Sequence, residues 1–192
     1  MSLIDDAAML KSLAETKVTS GEKYATYLTA RSRSGKCVIT SFDANKETKN
    51  GRIGTFLNMR VLSVVTGAEN PKYSDQDTNE VGELVCKSFF LKEGNAQKRS
   101  AQNADLLRTA AAVYESVTGK KTRAPDLTAD VELLKKALVA LEQSEGVIVD
   151  FVARDTDGGA VYHDLNAVKN TKEQVVKNRA NLVSGAPVTA FL

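Results

Sequence analysis

Residues 36–66 read KCVITSFDANKETKNGRIGTFLNMRVLSVVT, and they predict two β-strands joined by a polar turn. The first strand, residues 36–42, is rich in β-branched and aromatic residues, which favour strands. A polar segment follows and ends in Asn50-Gly51, a pair typical of hairpin turns. Residues 52–66 then alternate in polarity with a period of two, as in a strand that buries one side. The stretch therefore predicts a long β-hairpin.

The two faces of the second predicted strand differ in chemistry. The mostly apolar face predicts core positions at Ile53, Thr55, Leu57, Met59, Val61 and Val65. The opposite face carries Arg52, Gly54, Phe56, Asn58 and Arg60. An outward phenylalanine between two arginines is costly to leave in water without a partner. Phe56 is therefore a candidate stacking platform, and the alternative is that it packs under a helix as ordinary core.

Strand and helix patterns follow one another along the rest of the chain without an internal repeat. Further strands are predicted at residues 83–91, 146–153 and 159–168. Helices are predicted at residues 3–15, at 96–118 before Gly119, at 128–143 with Thr128 as N-cap, and from the capping box at Thr171 to about residue 183. Residues 24–30 fit a strand or a continuing helix, and we interpret them as a strand. A polar connection spans residues 66–81.

This order of elements predicts an α+β fold. Three strands, a helical crossing and a closing hairpin match an OB-fold-like five-stranded barrel, with a helical insertion between strands three and four and added terminal helices. Residues 1–192 would form a single domain, with the barrel at 36–169 and extensions at 1–35 and 170–192. The alternative is another α+β sheet. A doubly wound α/β sheet is not favoured, because strands and helices do not alternate.

Composition places the chain among soluble globular proteins. It has 192 residues, 42% hydrophobic and 26% charged, and no apolar run of the roughly 20 residues that cross a bilayer. Its first residues are acidic where a signal peptide would be basic. The two cysteines, Cys37 and Cys86, lie in strand-like segments and are expected to be reduced. We expect a cytoplasmic protein.

Charge is distributed unevenly along the chain. The formal net charge is +2, but residues 17–60 contain nine Lys or Arg against three Asp or Glu. Residues 61–93 contain six acidic residues against three lysines. Segment asymmetry of this kind indicates a polyanionic partner at one end of the molecule.

The predicted fold and the charge together indicate a groove for single-stranded nucleic acid. Such a groove needs cations that follow the phosphates and flat side chains on which bases stack. OB-folds bind strands on the face of strands two and three, with the first and last hairpin loops. The candidate residues are Arg31, Arg33, Lys36, Phe42, Lys46, Lys49, Arg52, Phe56, Asn58, Arg60 and Tyr73. The alternative is that the basic residues form a solvated face without a ligand.

The organisation of residues 36–169 resembles that of phage-encoded single-stranded-DNA-binding proteins with an OB-fold core. The resemblance rests on Asn50-Gly51-Arg52 before a long strand, the helix from Leu106-Leu107 to Gly119, and the closing strand at residues 162–168. It implies DNA binding in replication or recombination, in the host cytoplasm. Many such proteins end in an acidic tail that recruits partners. Here residues 169–192 carry four basic residues against one acidic residue, so tail-mediated recruitment is not expected.

Catalytic motifs are missing from the sequence, and we expect a protein that is not an enzyme and has no cofactor or metal. His163 is the only histidine, and no phosphate-binding loop or Cys-x-x-Cys motif is present. A metal-dependent nuclease would need converging carboxylates, for which Asp150, Asp155, Asp157 and Asp164 are candidates. The second hypothesis is a non-catalytic interaction or assembly module that uses residues 66–81 and the terminal helices. RNA, a homo-oligomer, and replication or recombination proteins remain open as partners.

Overall fold

The computed structural model describes residues 26–67 and 77–188. In chain order its elements are β1 (Ser32–Glu47), β2 (Ile53–Thr66), β3 (Leu84–Phe89), α1 (Ala96–Thr118), α2 (Ala124–Ala129), α3 (Val131–Glu142), β4 (Ile148–Asp155), β5 (Val161–Ala167) and α4 (Lys172–Ser184). The helix predicted at residues 3–15, Tyr73 and the last four residues lie outside the described residues. Within the described part of the strand predicted at 24–30, only Thr26 pairs, in an isolated parallel bridge with Val85.

The five strands form one antiparallel sheet in the order β3-β2-β1-β4-β5. The longest strand, β1, lies at its centre, where Val38 pairs with Arg60 of β2 on one side and with Ile148 of β4 on the other. Strands and helices are segregated along the chain, so the predicted α+β class is confirmed.

The sheet is not closed into a barrel, and the predicted OB-like barrel is therefore not confirmed. No ladder joins the edge strands β3 and β5 among the described residues. Two backbone hydrogen bonds to Thr26 occupy part of the outer edge of β3, from Thr26 N to the Leu84 carbonyl (3.0 Å) and from Cys86 N to the Thr26 carbonyl (2.7 Å). The two edges still approach each other, because Lys87 Nζ of β3 donates to the His163 carbonyl of β5 at 2.7 Å.

β1 is much longer than its predicted extent of residues 36–42, and part of the predicted polar loop belongs to it. The β1–β2 ladder contains four register shifts, the last between Asp43 and Lys46, where Asn45 has a positive φ of 52°. Bulges admit extra residues and bend a strand, so a polar segment remains paired as far as Glu47. The bulges also decide which side chains face the core.

The inner face of the sheet packs against the helices in one hydrophobic cluster. Leu57, Met59 and Val61 are fully buried there, as their alternation predicts. Ile53 and Val65 were predicted as core but are exposed, because they lie at the two ends of β2. α1 contributes Ala110 and Val113 and contacts β5 and α3. Within the described residues, the helices lack the combination of length and hydrophobicity that spanning a bilayer requires.

The single helix predicted at residues 128–143 is wrong, because the structure has two helices that divide at Asp130. Asp130 Oδ1 accepts hydrogen bonds from the backbone N–H groups of Glu132 (2.9 Å) and Leu133 (3.1 Å), and so caps α3. Thr128, the predicted N-cap, instead donates to the Pro125 carbonyl within α2. The predicted capping box of Thr171 and Gln174 is confirmed at the start of α4.

Candidate nucleic-acid interface

The turn between β1 and β2 places two lysines at the end of the hairpin. Thr48 N donates to the Arg52 carbonyl at 2.7 Å, and Gly51 N donates to the Thr48 carbonyl at 2.9 Å. Gly51 has a φ of 73°, a left-handed conformation that favours glycine. This closed turn carries Lys49, and Lys46 precedes it on β1.

The outer face of β2 presents a row of larger side chains beside the turn. Phe56, Asn58 and Arg60 are half-buried there and alternate with fully buried Leu57 and Met59. The Asn58 amide donates to Ser41 Oγ (2.9 Å) and to Asp43 Oδ2 (3.0 Å), both on β1. These bonds hold Asn58 across the ladder. The alternation therefore predicted which side of β2 faces outward.

A concavity of about 480 Å³ lies where this row meets the turn. We call it the hairpin concavity, and its lining residues are Asp43, Lys46, Glu47, Thr48, Lys49, Phe56 and Asn58. It brings together four of the sequence-predicted residues, namely Lys46, Lys49, Phe56 and Asn58. Lys46 lies 3.4 Å from Asp43, and its side chain is still 64% exposed.

Phe56 is neither fully exposed nor part of the buried core. Its ring meets the ring of Phe90 edge to face, with 5.9 Å between centroids and 88° between planes. Gly54 makes this pair possible, because a Cβ there would lie 2.7 Å from Phe56 Cζ and 3.0 Å from Phe90 Cε1. In the structure Phe56 is half-buried and lies outside the core cluster, so it does not pack as ordinary core beneath a helix, as the alternative predicted.

Arg52 does not line the hairpin concavity, and its guanidinium contacts both Glu93 and Phe90. Its Nε lies 2.9 and 2.7 Å from the two carboxylate oxygens of Glu93, and its Nη2 also contacts Glu93. Its guanidinium carbon lies 4.0 Å from the centre of the Phe90 ring. The hydrogen bonds from Arg52 lower the pKa of Glu93, so this carboxylate is ionised at neutral pH.

Three predicted cations lie elsewhere on β1 or just before it. Arg33 binds Asp155 and Lys36 binds Asp150 (2.8 Å), both on β4. Arg31 is half-buried in the turn before β1. Lys36 precedes Lys46 by ten residues in the same strand, at most about 33 Å at the rise of an extended chain, and it does not line the concavity. These residues therefore do not belong to the hairpin concavity.

Two further predicted residues have structural surroundings. Phe42 pairs with buried Leu57, is half-buried and packs against the core, so it does not join the hairpin concavity. The bulge between Ile39 and Ser41 sets its side chain on the inner face. Arg60 is half-buried on the outer face, and its Nε has no hydrogen-bond partner among the described residues.

The carboxylates of the second hairpin do not converge. Asp150 and Asp155 pair with β1 as described, and Asp164 lies 2.9 Å from Arg154 Nε. Among residues 26–67 and 77–188, no group of three His, Cys, Asp or Glu side chains is placed to hold a metal.

Burial raises the pKa of Cys37 to about 12 and that of Cys86 to about 11, so both thiols stay protonated at neutral pH.

A second depression, which the sequence reasoning missed, lies between the two hairpins and the first half of α1. It has a volume of about 580 Å³, and we call it the α1 cleft. Its lining residues are Arg52, Phe90, Glu93, Gly94, Lys98, Ala101, Gln102, Asp105, Arg108, Arg154 and Tyr162. One sequence signal could have found it, because Lys98, Gln102 and Asp105 recur at helical spacing and form a polar stripe on α1.

Comparison with known proteins gives no family for this chain. No protein-family model matches it, and no curated protein matches its sequence. The two depressions are therefore the features of this chain that point to a ligand.

Proposed function

We propose that this protein binds single-stranded DNA with little sequence preference through the hairpin concavity, and that it protects the strand during replication or recombination. The observation that carries the proposal is the position of Phe56, whose half-buried ring lies in a depression that also contains Lys46 and Lys49. The resemblance to phage-encoded single-stranded-DNA-binding proteins is part of the same proposal.

The chemistry of the concavity supports this ligand. Lysine ammonium groups neutralise phosphates without reading the sequence, and an aromatic ring stacks on any base. Asn58 adds an amide that its bonds to Ser41 and Asp43 hold in place. One depression thereby offers both attraction to the phosphate backbone of the DNA and a contact for its bases.

The sheet supports an OB-like interpretation at the level of shape. An OB-fold is a partly open five-stranded barrel whose strands two and three carry the ligand. Here β2 bears Phe56 and Asn58, and Lys87 connects the two edge strands. We propose that the fold is an opened relative of that barrel.

The first test is fluorescence polarisation with labelled oligo-dT at increasing salt. We expect micromolar or tighter binding that weakens steeply as salt rises, because phosphate contacts release counterions. A matched oligo-U strand tests the alternative of RNA. No binding of either strand at low salt would overturn the proposal and favour the interaction module instead.

The second test removes the two lysines. The double variant Lys46→Ala with Lys49→Ala should make the fall of log K with log salt shallower by about 1.4, since each phosphate contact contributes about 0.7 to its steepness. The matched control is Lys120→Ala with Lys121→Ala, which removes the same charge from the exposed link between α1 and α2. Equal slopes for the two double variants would contradict a specific role for the hairpin lysines.

Substitution of Phe56 separates stacking from packing. Phe56→Leu keeps an apolar contact with Phe90 but lacks the flat ring, and its affinity for oligo-dT should fall by about 1–3 kcal/mol. Circular dichroism should show an unchanged fold. A variant that is folded and binds as the wild type does would show that Phe56 does not stack on bases.

A further inference from the structure

The α1 cleft adjoins the hairpin concavity. Phe56 lines the concavity, Phe90 lines the cleft, and the two rings are in edge-to-face contact. A strand that leaves the concavity across this aromatic pair therefore reaches Arg52 next. The contact between the two rings makes the two depressions neighbours.

The cleft repeats the combination of charge and flat side chains found in the concavity. Four cationic and two acidic side chains line it. Tyr162 is 55% exposed, and the Arg154 guanidinium lies 6.0 Å from the centre of its ring. With Phe90, the cleft thus offers two aromatic rings beside cations.

Internal carboxylates already occupy the guanidinium groups of the cleft. Glu93 binds Arg52 through both of its oxygens. Asp164 lies 2.9 Å from Arg154 Nε and 3.8 Å from Arg108 Nε. A carboxylate and a phosphate make the same paired hydrogen bonds to a guanidinium, so they compete for it.

We propose that the bound strand continues from the hairpin concavity into the α1 cleft, and that it enters the cleft by displacing Glu93 from Arg52. This inference rests on the proposed function of the hairpin concavity. Glu93 then acts as an internal competitor that weakens binding of long strands, and Tyr162 receives a base at the far end of the path.

The test compares two oligo-dT lengths, about 5 and about 20 nucleotides, which bracket most of the footprint of known OB-folds. Glu93→Gln should bind the long strand about threefold more tightly than the wild type, the scale of one exposed ion pair. Its salt slope should steepen by about 0.7, because the variant has no displaced carboxylate to take up the cation that the phosphate bound by Arg52 releases. The matched control is Glu132→Gln, which removes an exposed carboxylate bound to Lys135 on α3.

Tyr162 provides the second arm of the test. Tyr162→Ala should lower affinity for the long strand at least fivefold and leave the short strand unaffected, whereas Tyr162→Phe should bind both as the wild type does. If the wild type binds but Glu93→Gln behaves like Glu132→Gln, the displacement of Glu93 is wrong. If Tyr162→Ala binds the long strand normally, the path through the cleft is wrong. Failure of the wild type to bind either strand overturns the proposed function itself.

Discussion

His163 is a half-buried titratable residue near the open side of the sheet. Its Nε2 lies 2.8 Å from the Ser32 carbonyl, and its ring contacts Phe151. Burial lowers the pKa of His163, the charges of Lys87 and Arg33 lower it further, and the bond to Ser32 and the charge of Asp164 oppose the shift. The folded state therefore keeps this ring neutral at a pH where the unfolded chain already takes up a proton.

The predicted consequence is a pH-dependent stability. The contribution of neutral His163 is fully present above the ordinary histidine pKa of 6.5, and it is lost as the pH falls toward the lower folded pKa. We expect the free energy of unfolding, measured with urea, to decrease between pH 7 and pH 5. His163→Gln keeps a hydrogen-bond donor for the Ser32 carbonyl but cannot titrate, so the decrease in unfolding free energy with falling pH should be smaller in this variant. The same slope in the variant would contradict the assignment.

Single side chains show what the sequence could predict of the candidate site. Phe56 and Asn58 face outward as the period-two pattern of β2 predicts, because β2 is regular beside β3. Phe42 faces inward, against prediction, because β1 contains bulges that each shift the alternation. No residue near Phe42 is of a type that indicates the bulge between Ile39 and Ser41. The sequence alone could therefore not predict which face of the sheet carries the Phe42 side chain.

Helix caps are the element-scale feature that can be tested most directly. Asp130→Ala removes the side chain that accepts from two backbone N–H groups at the start of α3, and it should destabilise the protein by about 1 kcal/mol. Thr128→Ala removes only a bond to the Pro125 carbonyl, and its cost should be clearly smaller. Thermal or urea unfolding measures both. A larger cost for Thr128→Ala would mean that α2 and α3 behave as one helix.

Elements with strong local signals were predicted well. α1 has the predicted bounds, because it ends at Gly119, which adopts a left-handed φ of 70° that suits a helix C-cap. α4 begins at the predicted capping box. β1 was predicted too short, because its polar second half is held in the ladder by pairing with β2 rather than by its own propensity.

At the scale of the whole molecule, Lys87 connects three elements. Its Nζ lies 2.9 Å from Asp105 of α1 and donates to the His163 carbonyl of β5, and its side chain is only 14% exposed. Lys87→Met should destabilise the protein by about 2 kcal/mol, because Asp105 loses its closest cation. Removing one partner of a fully buried ion pair would destabilise it somewhat more. Adding Asp105→Leu should restore most of this loss. Urea unfolding of the single and double variants tests the coupling, and additive effects would contradict it.

The ion pairs on the surface could not be predicted from the sequence. Arg52 and Glu93 lie 41 positions apart, and Arg33 and Asp155 lie 122 positions apart. Such pairs form only after the sheet has assembled, so a local excess of basic residues does not tell which cations are already neutralised. The charge excess of residues 17–60 therefore did not show that Arg33, Lys36 and Arg52 are paired with carboxylates.

The central position of β1 has a consequence for synthesis on the ribosome. β1 and β2 can pair as soon as both have emerged, but β4 begins at Ile148, about 100 residues after the end of β1. At translation rates of about 5–20 residues per second, the other edge of β1 waits roughly 5–20 s for its partner. During that interval the nascent hairpin exposes unpaired backbone and invites association with other chains. We expect Lys36, which lies on that edge, to make it a poorer template for other chains until β4 has been synthesised.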